Sequence, residues 1–152
     1  MVKPPLSANQ QRELKALVTA HRLTTVPVDL QRAERFLELA ANTLDDVDHV
    51  RQPQTRFNLA YDAVHAVGES LLAPYGFRTT TSPGQHEALA RFLRVVLDQP
   101  PADSAARQVD RMRRTRNQMH YEARPVGAAD AAQAVRVARE LYAAAHESTH
   151  HH

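Results

Sequence analysis

The stretch TRFNLAYDAVHAVGESLLAPYG, residues 55–76, has the apolar spacing of a helix buried along one side. Its large apolar side chains recur at steps of three and four residues, which places them on one helical face. They are Phe57, Tyr61, Val64, Val67, Leu71 and Leu72. Gly76 follows where a helix C-cap requires the left-handed conformation. The stretch therefore predicts a helix from about Thr55 to Pro74 or Tyr75.

Five further helices are predicted on either side of this stretch, each from an apolar period bounded by a capping or breaking residue. Their predicted starts are Ser7, Asp29, Ser82, Asp103 and the residue after Gly127. The segments 23–28 and 77–81 are predicted to be a linker and a loop, because neither shows strand alternation. Short connections between helices of this length favour antiparallel neighbours. The predicted fold class is all-α, an antiparallel bundle of about five to six helices.

Length and composition predict one domain. The chain has 152 residues, 43% of them hydrophobic, which is enough for a real core and excludes a disordered chain. It contains no cysteine, which excludes disulfides, zinc–thiolate sites and cysteine nucleophiles. No leader-like or membrane-length apolar segment stands out, so a cytoplasmic location is expected. We assign residues 1–147 to the domain and residues 148–152 to the remnant of a histidine tag.

The fifth predicted helix places a cation inside its apolar stripe. Angles around the helix axis can be counted from Arg116 at about 100° per residue. Val109 then lies at about +20°, Met112 at about −40° and Met119 at about −60°. His120 follows at about +40° on the same face. A guanidinium buried without a partner costs several kcal/mol, so some group must compensate Arg116.

Three compensations for Arg116 are open. A carboxylate on another helix, Asp62 or Glu69, can pair with it; a second chain can cover it; or it can line a cleft that binds phosphate. The density of cations favours the cleft, because five arginines in ten residues are opposed there only by Asp110. They are Arg107, Arg111, Arg113, Arg114 and Arg116. For Arg107, Arg111 and Arg114, a solvated basic face remains the alternative.

The segment RRTRNQMHYEARP, Arg113 to Pro125, resembles the signature helix of HEPN domains, in which an arginine and a polar residue precede a histidine about five positions on. RFNLAYDAVHAVGESLLAPYGFRTTTSPGQHEAL, Arg56 to Leu89, resembles the middle helix, loop and following helix of that family. The resemblance implies a helical bundle that dimerises through its motif helices. It also implies a metal-independent ribonuclease without cofactor, often a toxin neutralised by a small nucleotidyltransferase antitoxin.

The resemblance assigns roles to individual residues. Arg116 would stabilise charge on the phosphate, Asn117 would position it, and His120 or Tyr121 would move protons. Arg111, Arg113 and Arg114 would bind the RNA backbone. Five positions after Arg116 stands Tyr121, and His120 comes one step early; Arg114 and His120 are the alternative pair. Both an endoribonuclease and a degenerate RNA-binding relative are compatible with this variant of the motif.

Two rival functions are weighed against this one. A metal site would use Asp62, His65 and Glu69, but the paired Glu-x-x-His signature of di-iron bundles is absent, and His65 is more simply a satisfied interior histidine. The stronger rival is a non-catalytic module for dimerisation or protein interaction, in which Met112 and Met119 form the interface. A helix-turn-helix is disfavoured because Arg116 lies on the inner face of a long helix.

Overall fold

The apolar stretch that decides the fold forms the helix with the most buried residues in the described part of the chain. In a computed structural model, which describes residues 4–81 and 84–150 (backbone alone for 149 and 150), this helix, α3, spans Pro53–Leu72. A 3-10 turn, Ala73–Tyr75, continues it, and Gly76 ends it with φ of 80°. Gly76 therefore acts as the predicted left-handed cap. Pro53 begins the helix instead of preceding it, as suits a residue with no N–H to pair.

The other five helices pack around α3. They are α1 (Ala8–Thr19), α2 (Leu30–Val47), α4 (Gln85–Val96), α5 (Ala102–Glu122) and α6 (Ala128–His150). The predicted caps at Ser7 and Asp29 are confirmed, because Ser7 and Gln10 form a reciprocal capping box and the Asp29 carboxylate accepts a hydrogen bond from the Arg32 backbone N–H at 2.8 Å. Helix α5 begins one residue before the predicted start at Asp103.

Helix α3 is the centre of the core. It packs extensively against α2 and α6, and α4, α5 and the segment after Gly76 also contact it. The largest fully buried side chains come from several helices: Leu17, Phe57, Leu72, Phe92, Leu93 and Leu141. The chain is 75% helical, so the predicted all-α helical bundle is confirmed. No helix in the described ranges is long and apolar enough to cross a membrane.

Two segments predicted to be linker and loop form short strands instead. Strand β1 (Leu23–Thr25) pairs with β2 (Phe77–Thr79) in an antiparallel ladder, with Leu23 opposite Thr79. Three residues per strand are too few for an alternating pattern to stand out in sequence. The pairing joins the end of α1 to the end of α3, so it closes the bundle at one end.

A buried carboxylate fixes strand β2 against the helices. Glu69 of α3 is only 2% exposed, and its Oε1 accepts hydrogen bonds from the backbone N–H and the hydroxyl of Thr79. Its Oε2 lies 3.0 Å from Nη2 of Arg32 on α2. Because a buried charge requires partners, these contacts account for the glutamate in the core.

Two predicted boundaries differ from those observed. Helix α4 begins at Gln85, after Gly84 with φ of 94°, whereas the predicted start at Ser82–Pro83 lies outside the described residues. Helix α6 continues to His150 without a break at residue 147, so its backbone gives no sign of the predicted tag boundary. Residues 151–152 are likewise outside the described ranges.

Candidate functional site

Helix α5 leaves the core halfway along its length. Its first half buries Ala105, Ala106, Val109 and Met112, whereas none of residues 113–122 is fully buried. The apolar period that predicts an inward face continues, but it now carries Arg116 and Met119, both half-buried. The second half of α5 therefore presents its inner face to a groove instead of to packed side chains.

Arg116 lies against an aromatic ring and forms no ion pair with any described residue. Its guanidinium carbon is 5.1 Å from the centre of the Tyr61 ring on α3. Among the described residues no carboxylate lies within 4.0 Å of it, and it makes no hydrogen bond. The predicted pairing with Glu69 does not form, because Arg32 and Thr79 occupy that carboxylate. Asp62 is near enough to interact electrostatically, but forms no ion pair.

Arg116 lines a groove between α3 and α5 that we call the Arg116 groove. It has a volume of about 360 Å³ and is lined by Gln54, Asn58, Asp62, Arg116, Met119 and His120. The three α3 residues stand four positions apart, which places them on one helical stripe. Burial raises the pKa of Asp62 above its ordinary value, although Arg116 and His65 oppose that shift. The groove thus combines one cation, one carboxylate, one imidazole and two amides.

The four residues predicted to be catalytic are placed differently from one another. Arg116 and His120 line the groove together, one turn apart. Asn117 is exposed and does not line the groove. Tyr121 is 80% exposed and packs edge-on against the His120 ring, with the ring centres 5.0 Å apart. Only two of the four therefore share the cavity, and their predicted roles stay predictions.

The arginines predicted to bind RNA differ in their ion pairs. Arg113 is held by Asp110, with Nε 2.9 Å from Oδ1, and Arg114 lies 3.6 Å from the other oxygen of the same carboxylate. Arg111 has no carboxylate within 4.0 Å in the described part of the chain. Arg107 pairs with Asp103 at 3.1 Å, which agrees with the alternative that this arginine belongs to a solvated basic face.

A second groove lies beside the first on α5, and we call it the Arg124 groove. It has a volume of about 420 Å³. Its lining comes from α5, the α5–α6 connection and the start of α6: Arg111, Arg114, Thr115, Gln118, Met119, Arg124, Pro125, Val126 and Asp130. Met119 lines both grooves, so they adjoin at one side chain. Arg124 brings a further guanidinium, which the sequence analysis did not single out.

Two histidines lie behind Arg116 at the junction of α3 and α4. The His86 ring is 5.5 Å from that of Tyr61 and 5.3 Å from that of His65. Burial, the neighbouring His65 and the nearby arginines lower the pKa of His86 to about 4. Burial also lowers the pKa of His65, although Glu69 opposes that shift. Nδ1 of His65 is buried without a hydrogen-bond partner, so this side chain is not the satisfied interior histidine that was predicted.

The sequence missed two groove residues on α3 and the arginine that follows α5. Gln54 and Asn58 carry a usable signal, because with Asp62 they form a polar stripe at four-residue spacing beside the apolar face of α3. Arg124 lies within the segment that resembles the HEPN motif, but beyond the helix itself. In the described ranges no group of three or more histidine, cysteine or acidic side chains is arranged to hold a metal ion.

The site can perform two chemical tasks. A guanidinium with free N–H groups can bind and neutralise a phosphate, and an imidazole or carboxylate beside it can accept a proton. No family model, no curated protein and no solved structure matches this chain. The assignment of function therefore depends on the chemistry of these two grooves and not on a relative.

Proposed function

We propose that this chain is a HEPN-like protein that acts on RNA, as a metal-independent endoribonuclease of toxin or defence type or as a degenerate RNA-binding relative. One observation carries the proposal. Arg116 is half-buried over Tyr61 in a groove, with no ion pair or hydrogen bond to any described residue. A cation held in this way is prepared to receive an anion from outside the chain.

The contact with Tyr61 suits Arg116 to a phosphodiester. Stacking on an aromatic ring uses the face of the guanidinium and leaves the N–H groups at its edge available. Those N–H groups form a planar fork that matches two oxygens of one phosphate. A lysine at this position would offer a point charge without the fork, so the choice of arginine favours phosphate over a generic anion.

The reaction that fits the groove is attack of a ribose 2′-hydroxyl on its own 3′-phosphate. The 2′-oxygen forms a bond to phosphorus, the bond from phosphorus to the 5′-oxygen breaks, and a 2′,3′-cyclic phosphate results. The proton of the 2′-hydroxyl passes to His120 or to the Asp62 carboxylate, and the leaving 5′-oxygen takes a proton from solvent water. Arg116 stabilises the charge that grows on the phosphate oxygens.

The resemblance adds partners to this proposal. We include a homodimer through α5, a nucleotidyltransferase antitoxin and a cytoplasmic location. The exposed Tyr121 on the outer side of α5 supplies a surface for a second chain. Under the alternative, a non-catalytic interaction module, Met119 and the same surface form a protein interface and Arg116 pairs across it. Met112, the other residue predicted for that interface, is 5% exposed and packs in the core instead.

The test compares cleavage and binding of single-stranded RNA by the protein and by Arg116→Ala, with EDTA present and the terminal histidines removed. We expect cleavage to fall about 100-fold, the loss typical when one charge-stabilising donor is deleted. Arg107→Ala is the matched control, because Arg107 is exposed and paired with Asp103 outside both the Arg116 and Arg124 grooves. The control should cleave at the rate of the unaltered chain.

Three outcomes separate the readings. Cleavage that depends on Arg116 supports the endoribonuclease. Binding that depends on Arg116 without cleavage supports the degenerate relative. RNA binding that is absent, or equal in the Arg116 and Arg107 variants, overturns the proposal and leaves the interaction module.

A further inference from the structure

The Arg124 groove carries an excess of positive charge. Three guanidinium groups, from Arg111, Arg114 and Arg124, line it together with one carboxylate, that of Asp130, although Arg114 also lies 3.6 Å from the Asp110 carboxylate. The C-terminal end of α5 adds only a partial negative charge nearby. The groove thus has the local charge of an anion site within a chain whose formal charge is only +2.

A groove of equal volume elsewhere shows that arginines alone do not produce such an excess. It also measures about 420 Å³ and contains three arginines, Arg91, Arg94 and Arg107. However, three acidic residues, Glu13, Asp98 and Asp103, line it as well. Its charges balance, whereas those of the Arg124 groove do not. The contrast makes the Arg124 groove the better candidate for an anionic ligand.

The backbone places Arg124 in this groove. Ala123 ends α5 in the left-handed conformation, with φ of 52°, and the Arg124 N–H donates to the Gln118 carbonyl at 3.4 Å. Within the described ranges, the Arg124 side chain makes one weak hydrogen bond, from Nη1 to the side-chain oxygen of Gln118 at 3.5 Å. The turn therefore directs Arg124 back along α5, and its guanidinium has most of its donors unpaired with described residues.

The position of the groove suggests which anion it binds. Met119 separates it from the Arg116 groove and touches both cavities. A methionine side chain is flexible and apolar, so it can pack under a ribose or base while the charged groups on either side bind phosphates. A single strand carries one phosphate per nucleotide, so a strand that crosses Met119 can place one phosphate in each of the two adjoining grooves.

We propose that the Arg124 groove binds a neighbouring phosphate of the same RNA strand whose scissile phosphate occupies the Arg116 groove. This inference rests on the proposed function. Under this proposal Arg124 binds RNA and determines the length of RNA strand that the protein prefers. Arg111 and Arg114 then bind the strand and take no part in the chemistry at Arg116.

The test measures affinity for two 2′-O-methyl oligouridines, a dinucleotide and a decanucleotide, neither of which has the 2′-hydroxyl that cleavage requires. The dinucleotide has one phosphodiester and can fill only one groove. We expect Arg124→Gln to weaken decanucleotide binding about fivefold and to leave dinucleotide binding unchanged, because one charge-assisted contact is lost. Arg94→Gln, in the balanced groove, is the matched control and should leave both affinities unchanged.

The variants distinguish failure of this inference from failure of the proposed function. If Arg116→Ala weakens both oligonucleotides while Arg124→Gln weakens neither, the proposed function stands and the inference is overturned. An equal loss at both lengths in Arg124→Gln also overturns it. If Arg124→Gln acts and Arg116→Ala does not, the two grooves are not parts of one site and the adjacency is wrong. Arg111→Gln, on the same groove, should repeat the length-dependent loss.

Discussion

At the scale of single residues, Arg116 shows how a cation can occupy an inward position of a helical bundle. Full burial without a partner would cost several kcal/mol. The side chain avoids that cost by remaining partly exposed and by resting on Tyr61, a contact worth about 1 kcal/mol or somewhat more when partly desolvated. The contact favours this position of the guanidinium, and no hydrogen bond to a described residue occupies its N–H groups.

The inward direction of Arg116 was predictable from the sequence, but its neighbour was not. Helical geometry gives the angle of Arg116 from Val109 and Met112 alone. Which side chain lies opposite Arg116 depends on the tertiary packing of the helices. Asp62 and Glu69 were therefore predicted as its partners, whereas Tyr61 was not. Glu69 was unavailable because its two oxygens serve Arg32 and Thr79.

His86 supplies a prediction about pH. The folded protein lowers its pKa to about 4, below the ordinary value of 6.5, so the unfolded chain binds the proton first as pH falls. The free energy of unfolding should therefore decrease as pH falls from about 6.5 towards about 4. We expect His86→Asn to remove about 1 kcal/mol of the decrease between pH 7.5 and pH 5, a figure reduced for the partial exposure of the ring.

Urea unfolding at the two pH values measures this effect. Several other groups contribute to the total slope: His65 in the same direction and Asp62, with its raised pKa, in the opposite one. Arg113 and Arg116 also face His86, and they remain charged throughout this range. The comparison between the chain and its Asn variant isolates His86. Identical slopes in both proteins would contradict the prediction.

At the scale of elements, α3 serves two functions on two faces. One face carries the core side chains, and the other carries the polar stripe of Gln54, Asn58 and Asp62 that walls the Arg116 groove. The apolar face is predictable from the sequence because its helical period continues over the whole helix. The groove is not predictable, because a polar stripe on a helix ordinarily faces solvent and only the packing of α5 beside it makes a cavity.

The short strands and the start of α4 were less predictable than the helices. A ladder of three residues per strand depends on its partner, since β1 and β2 are more than fifty positions apart in the chain. Gly84 with φ of 94° precedes α4, so the helix begins later than a serine–proline pair suggests. Local signals place long helices well, whereas short elements are decided by contacts that the local sequence does not contain.

Gly68 marks the closest approach of α3 to α4 and gives a prediction about packing. A Cβ built on Gly68 would lie 2.3 Å from Cδ1 and 2.7 Å from Cγ of Leu89, which is buried. Replacing glycine by alanine stabilises a helix by about 1 kcal/mol, but forcing an extra methyl group into a packed core costs about 1–3 kcal/mol. We expect Gly68→Ala to destabilise the protein by about 1–2 kcal/mol in urea unfolding.

A double variant shows whether the contact with Leu89 is the cause. Leu89→Ala alone leaves a cavity and should cost about 2–5 kcal/mol. Combined with Gly68→Ala, the loss should be smaller than the two single losses together, because the added methyl group occupies space that Leu89 vacated. Strict additivity of the two losses would exclude the steric explanation.

At the scale of the whole molecule, the distribution of charge matters more than its total. The formal charge of +2 describes a nearly neutral protein. One groove of α5 has three arginines against a single carboxylate, whereas a groove of the same volume lined by residues of α1, α4 and α5 is balanced. The net charge of the sequence did not predict this asymmetry, because it does not say which acidic residues share a groove with which arginines; Glu13 of α1 lines the groove of Arg107, which lies more than ninety positions later.

Salt dependence tests that asymmetry. If the two grooves on α5 each bind one phosphate of a single strand, log K for a decanucleotide should fall against log salt with a slope of about −1.4, at about 0.7 per phosphate neutralised. The triple variant Arg111→Gln, Arg114→Gln, Arg124→Gln should show a slope of about −0.7. Arg94→Gln should keep the original slope, and a triple variant that does the same would contradict the prediction.

The contacts of Glu69 have a consequence for the length of the chain around it. Its carboxylate holds Thr79, ten positions later, while also facing Arg32 from α2. An inserted or deleted residue between α3 and β2 would move Thr79 away from Glu69. The buried carboxylate would then lose the hydrogen bonds that it accepts from Thr79. Homologues with this architecture should therefore keep that interval constant while varying loops elsewhere, and loop-length libraries should yield folded members at other connections but not at this one.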